Sequence, residues 1–136
     1  MTHHLFVYGT LLQPENEFAG YLMHHTIFLT NGKIKGTLYN IGEYPGLVIS
    51  PNSDGWVHGS IYKVDDEALA LIDDYEGYGP GQSEPYLYVR EIRAIEAASG
   101  LADAWVYLYN HPVDGLEAIP SGSYLQFLAQ KKSPGL

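Results

Sequence analysis

The sequence predicts an α+β domain built on a largely antiparallel sheet with two to three short helices. Three observations lead there. Short apolar or alternating runs recur along most of the chain. Helical periodicity is confined to brief segments. Strand–helix–strand repetition, which builds parallel sheets, is absent. The 136 residues suit one domain spanning 1–136, long enough to bury about two thirds of the unfolded surface.

The elements follow in order. "HLFVYG" (4–9) is a short apolar run, read as a strand buried on both faces. Pro14 suits the first position of a helix, and Phe18, Tyr21, Leu22 and His25 then share one helical face, which predicts a helix near 14–23. "TIFLTNGKIKGTLYNIG" (26–42) contains Asn31-Gly32, a strong hairpin signal, so a strand is expected over 33–41. "GLVIS" and "GWVHGSIYKV" are strands around the turn "PNSDG". "DDEALALIDDYE" (65–76) reads as a helix with Asp65 as its N-cap. "YLYVREIRAI" (86–95) and "DAWVYLY" (103–109) are strands joined through "AASG". "GSYLQFLAQ" is a short helix, and "KKSPGL" (131–136) is expected to be a frayed tail.

Composition removes several function classes. Hydrophobic residues make up 46% and charged residues 17%, a globular balance. With no cysteine, disulfides, thiolate metal sites and cysteine nucleophiles are excluded. The six histidines show no His-x-x-x-His or His-Glu-x-x-His spacing, so no metal is expected. A net charge of −9 opposes nucleic acid and anionic membranes. It leaves room for a small anionic ligand, which a cluster of backbone N–H groups can bind locally. The N-terminus lacks the pattern of a signal peptide, and no run approaches about 18 apolar residues, so the expected location is the cytoplasm. Oligomeric state is left open.

The segment "LIDDYEGYGP" (71–80) places Asp73, Asp74 and Glu76 where a helix stops, with Gly77 suited to the residue after its cap. Carboxylates are disfavoured at that end by the helix dipole. On a helical wheel Ala68, Ile72 and Tyr75 form one stripe with Leu69 at its edge. Glu76 falls on that side, Asp74 on the far side, and Asp73 just outside the apolar edge. Burial and the helix terminus would both raise the carboxyl pKa of Glu76 above about 4.3, which suits an acid/base catalyst at neutral pH. The competing reading is a Glu frayed into solvent, because a small boundary shift rotates it outward. A second feature is "FVYGTLL" (6–12), where Gly9 permits a tight turn and close ligand approach.

In this order along the chain, "YGTL" (8–11), "GTLYNIGEYPGLV" (36–48), "VHGSIYKVDDEALALIDDYEGY" (57–78), "YLYVREI" (86–92), "AWVYLY" (104–109) and "IPSGSY" (119–124) resemble the gamma-glutamylcyclotransferase-like family, in particular its small AIG2-like members. The third block resembles the family signature: a Gly-containing strand, then a helix ending in Asp-x-x-Glu-Gly. The resemblance implies a compact, mixed, barrel-like fold with a cavity. It implies release of 5-oxoproline and an amine from a small gamma-glutamyl compound, with no metal or cofactor. It makes Glu76 the general acid/base and Tyr8, Gly9, Thr10 and Leu11 the loop that holds the glutamyl group. Tyr124 matches the Tyr after the closing Pro-Ser.

Two further residues come from the strands themselves. Arg90 shares a face with Tyr86, Tyr88 and Ile92. Such an Arg either binds a substrate carboxylate bidentately or packs its stem and pairs its head with an acid at the rim; the second is favoured slightly. Tyr107, with Trp105 and Tyr109, either lines the cavity or belongs to the core. Gly-x-Ser-x-Gly is absent, and Asp73 and Glu76 lie side by side on one helix rather than opposed, against a serine hydrolase and a glycosidase. The rival of another class is a non-catalytic small-molecule-binding module that keeps the family cavity.

Overall fold

A computed structural model of the chain describes residues 1–9, 20, 24–42, 44–49 and 55–132. Seven strands and two helices are defined among them: β1 (Thr2–Val7), β2 (Ile27–Asn40), β3 (Pro45–Ile49), β4 (Trp56–Asp65), α1 (Asp66–Tyr75), β5 (Tyr88–Ala97), β6 (Gly100–Tyr109), β7 (Glu117–Ala118) and α2 (Tyr124–Lys132). Five strands run β2–β4–β1–β6–β5, and β5 returns to β2 through Gly32 opposite Ala97 and Lys33 opposite Glu96. The sheet is therefore closed, which removes the open edges of a flat sheet. Every ladder is antiparallel except β1–β6, which is parallel at Leu5 and Trp105. The far half of β2 carries β3 and β7 outside the closed ring. The α+β, barrel-like expectation holds.

Alternation along the strands divides the apolar residues into two cores. Phe6, Ile34, Leu38, Val57, Ile61, Ile95, Ala104 and Val106 fill the barrel. Leu5, Val7, Val64, Tyr88 and Tyr107 face outward beneath Ala68, Leu69 and Ile72 of α1. β1 feeds both cores, and Leu5, Phe6, Val7 and Tyr8 are all buried, as a two-sided strand requires.

Three expectations change. Asn31-Gly32 is not a hairpin turn; β2 runs unbroken from Ile27 and so begins well before residue 33. The glycine answers a different need. A Cβ at Gly32 would sit 2.7 Å from Ile95 Cγ2, where β2 meets β5 to close the barrel. α2 continues to Lys132, two residues into the segment read as a tail. Tyr75, placed on the buried stripe of α1, is 38% exposed. The helix near 14–23 lies largely outside the described residues, as do residues 133–136. No described helix is long and apolar enough to cross a membrane.

Candidate active site at the C-terminal end of helix α1

Local chemistry fixes both ends of α1. The Asp65 side chain accepts from Ala68 N–H at 2.7 Å, the N-cap bond expected of Asp. At the other end Gly77 adopts φ +72°, which only glycine enters without strain. Tyr78 N–H then reaches Asp73 O (2.9 Å) and Gly77 N–H reaches Asp74 O (3.1 Å). That pair of bonds is the Schellman closure. Glu76 is the cap residue itself, with helical backbone angles and its N–H on Ile72 O at 2.9 Å. The helix turn is thus held through Glu76, so its side chain leaves at a fixed angle toward the cavity.

Glu76 lines two adjoining spaces. The inner one, about 30 Å³, is walled by Phe6, Val7, Tyr8, Gly9, Tyr44, Pro45, Tyr88 and Tyr107. The outer one, about 280 Å³, adds Tyr75, Gly77 and Leu87 to Tyr44 and Tyr88. The exposure of Tyr75 is explained by this outer space. Burial, and after it the neighbouring Asp73 carboxylate, push the Glu76 carboxyl up to about 7. It can therefore both give and take a proton at neutral pH.

The tyrosines around it are engaged elsewhere. Tyr8 Oη donates to Tyr107 O at 2.5 Å and accepts from Leu47 N–H at 3.3 Å. Tyr88 Oη donates to Pro45 O. Tyr107 Oη donates to Asp73 Oδ1 at 2.6 Å. Burial first, with the Glu76 charge among the further causes, raises the pKa of all three, so they stay neutral donors. They shape the cavity and tie the end of β1 to β6, β5 to β3, and β6 to α1.

The remaining residues singled out from sequence are placed as follows. Tyr8, Gly9 and Tyr107 meet Glu76 at the inner cavity. Thr10 and Leu11 lie outside the described residues. Arg90 gives Nε and Nη2 to Asp73 at 2.7 and 2.9 Å, and its guanidinium lies 4.1 Å from the ring centre of Trp105. Tyr124 is buried in the barrel core, 6.2 Å from Phe127 in a stacked pair, and does not line either space at Glu76. Asp74 is exposed and accepts from Gln82 Nε2 at 2.6 Å. Sequence reasoning missed Tyr44, from the β2–β3 connection, and Pro45, the first residue of β3; their only signal was membership of the block "GTLYNIGEYPGLV".

Comparison with known proteins places the chain and its fold. Residues 5–126 match the sequence model of the family described as "Gamma-glutamyl cyclotransferase, AIG2-like". The chain is 34% identical over 128 residues to the gamma-glutamylcyclotransferase family protein YtfP of Escherichia coli (strain K12), covering 89% of this chain and 95% of that protein. It is 36% identical over 108 residues to the gamma-L-glutamyl-butirosin B gamma-glutamyl cyclotransferase of Niallia circulans, covering 78% and 66%. The solution NMR structure of the Escherichia coli ytfP protein superposes with a TM-score of 0.66 at 32% identity, over 91% of this chain and 97% of that one. A five-stranded mixed barrel, matched by the family model over residues 5–126 and by relatives along nearly its full length, makes this chain a member of the AIG2-like gamma-glutamyl cyclotransferase family.

Proposed function

We propose that the protein catalyses a cofactor-independent gamma-glutamylcyclotransferase reaction with Glu76 as its general acid/base. The alpha-amine of a gamma-glutamyl compound attacks its own gamma-carbonyl. A C–N bond forms to close the five-membered ring, the bond to the leaving amine breaks, and 5-oxoproline and a free amine result. The attacking nitrogen loses a proton and the leaving nitrogen gains one. A single carboxyl can carry that proton, and such catalysis contributes about 10²–10⁴-fold. Ring closure is already intramolecular, so the remaining task is to hold a folded, near-attack substrate.

The observation that carries the proposal is the half-buried Glu76 carboxyl, raised to about 7 at the wall of a cavity. Tyr8, Tyr88 and Tyr107 are raised and engaged with protein acceptors, and Asp73 is occupied by Arg90 and Tyr107. In this reading the strand end at Tyr8 and Gly9, continuing through Thr10 and Leu11, takes the glutamyl part through backbone N–H groups. The leaving amine lies in the outer space between Tyr44, Tyr75, Leu87 and Tyr88.

The test is a panel of gamma-glutamyl compounds assayed for 5-oxoproline. The outer space presents tyrosine rings, a leucine and the Glu76 carboxyl. That lining suits apolar or cationic amines and offers no counter-charge, among its described residues, to a carboxylate. Conjugates of amines without a carboxylate should be turned over about tenfold or more faster, in kcat/KM, than gamma-glutamyl-alpha-amino acids. Binding of 5-oxoproline with no turnover of any panel member would overturn the enzymatic reading in favour of a binding module.

Gly9→Val tests the glutamyl side. A Cβ there would stand 2.9 Å from Pro45 Cγ, inside the wall of the inner cavity. The bulkier side chain should weaken 5-oxoproline binding, read by calorimetry, by about tenfold or more. Unchanged affinity in a folded variant would remove the loop from the site.

A further inference from the structure

The Asp73 carboxylate accepts three hydrogen bonds: two from Arg90 and one from Tyr107, at 2.6–2.9 Å. Both members of the ion pair are largely shielded, with side chains 15% and 17% exposed. Arg90 is further fixed against the Trp105 ring at 4.1 Å and the Tyr78 ring at 5.7 Å. Asp73 precedes Glu76 by three residues, about one helical turn, so the two carboxyls share a side of α1. Tyr107 extends the cluster in the other direction, because its carbonyl receives the Tyr8 hydroxyl at 2.5 Å. One chain of contacts therefore runs from Arg90 on β5 through Asp73 on α1 and Tyr107 on β6 to Tyr8 at the end of β1.

We propose that this cluster is a positioning device for Glu76: the clamped negative charge of Asp73 sets how tightly Glu76 holds its proton, while Tyr107 locks the helix end to the strand end carrying Tyr8 and Gly9. The inference rests on the reading of Glu76 as the proton carrier. The groups facing Glu76 from each packed element are Tyr8 from β1, Tyr44 from the β2–β3 connection, Tyr88 from β5 and Tyr107 from β6. Arg90 reaches it only through Asp73. Burial keeps Tyr8, Tyr88 and Tyr107 in their neutral form. Asp73 is the described anion acting on Glu76, and it disfavours a second negative charge there. Two carboxyls thus take different tasks through their surroundings. Asp73 is tied down by three donors. Glu76 is left to exchange.

The test reads Glu76 directly. Carbon-13 NMR of the glutamate side-chain carboxyls, in the full chain with Glu76→Gln for assignment, gives the titration midpoint of Glu76. Asp73→Asn removes the charge and keeps the shape, so the midpoint should fall by about one pH unit, and the acid limb of kcat/KM should fall with it. A purely structural role for Asp73 would lower the melting temperature and leave the midpoint where it was; that result overturns the proposal. Should Asp73→Asn fail to fold, Asp73→Asn/Arg90→Gln places two amides where the ion pair stood and should show a fall in the same direction, smaller because the Arg90 charge leaves as well. Turnover with an unmoved midpoint defeats this inference alone. A fallen midpoint without turnover of any gamma-glutamyl compound defeats the catalytic reading and leaves the Asp73–Glu76 coupling standing.

Discussion

Glu76→Gln should lower turnover by about 10²-fold or more while leaving the protein at least as stable as the parent. Gln keeps the shape and hydrogen-bonding capacity of Glu but cannot accept the proton from the attacking ammonium. The stability half follows from linkage. The Glu76 carboxyl is raised from 4.5 to about 7 in the folded chain, first by burial and then by Asp73. A raised carboxyl pKa means that the native state favours the protonated form, so ionisation costs folding free energy. Below about pH 4.5 both states are protonated and there is no cost. Between about 4.5 and 7 the cost grows, and above 7 it is complete. Gln carries no such cost. The melting temperature of Glu76→Gln relative to the parent should therefore be level at low pH, climb between about 4.5 and 7, and plateau above. The plateau corresponds to roughly 1–3 kcal/mol once solvent screening is allowed for. In the parent, kcat/KM should rise through about pH 7 as Glu76 becomes a base, and residual activity in the variant should lose that limb. Asp74→Asn, on the exposed side where the Asp74 carboxylate accepts from Gln82, should alter neither quantity appreciably. Full activity in Glu76→Gln would end the catalytic assignment.

What the sequence made legible was what short-range chemistry decides. The Gly77 terminus and the Asp65 cap depend on residues within one turn, and both stand as read. The inward side of Glu76 followed from the period of α1, because Ala68 and Ile72 must face β1 and β4 whatever else happens. Tyr75 broke the pattern, since periodicity assumes that the helix is covered to its last turn and the outer pocket leaves that turn open. Arg90 could be read two ways because its partner lies 17 residues away across the fold. Asn31-Gly32 was misread for a related reason. A glycine required by an approaching Ile95 looks the same, in one dimension, as a glycine required by a turn. Tyr44 reaches the cavity from a connection without periodicity and Pro45 from the first residue of β3, so nothing local marked them.

Gly59 is a position where that ambiguity can be tested, and Gly59→Ala should destabilise the protein by about 3 kcal/mol or more. Gly59 lies on β4 opposite Gly32 of β2, and its missing side chain would point into the barrel. A Cβ built there stands 2.2 Å from Val7 O and 2.8 Å from the Phe6 ring. The first neighbour is backbone of β1, held by its ladders to β4 and β6, and cannot swing aside as a side-chain tip can. The second is among the largest fully buried side chains in the molecule. Five strands enclose little space, so two adjacent glycines give Phe6, Ile61 and Ile95 the room they fill. Ser60→Ala is the control: its hydroxyl bonds Asn31 Oδ1 at 3.2 Å in an exposed setting, and its loss should cost no more than about 1 kcal/mol. Urea midpoints at constant m-value read both variants. The consequence also reaches the site. Phe6 and Val7 lead directly into Tyr8 and Gly9, and all four line the inner cavity with Glu76. Pushing β1 away from β4 should therefore weaken 5-oxoproline binding in whatever fraction stays folded, so this variant loses stability and affinity together. Glu76→Gln should lose turnover alone. If Gly59→Ala instead keeps the parent's urea midpoint, β1 yields freely, and the tight seating of the cavity wall on the barrel interior is wrong.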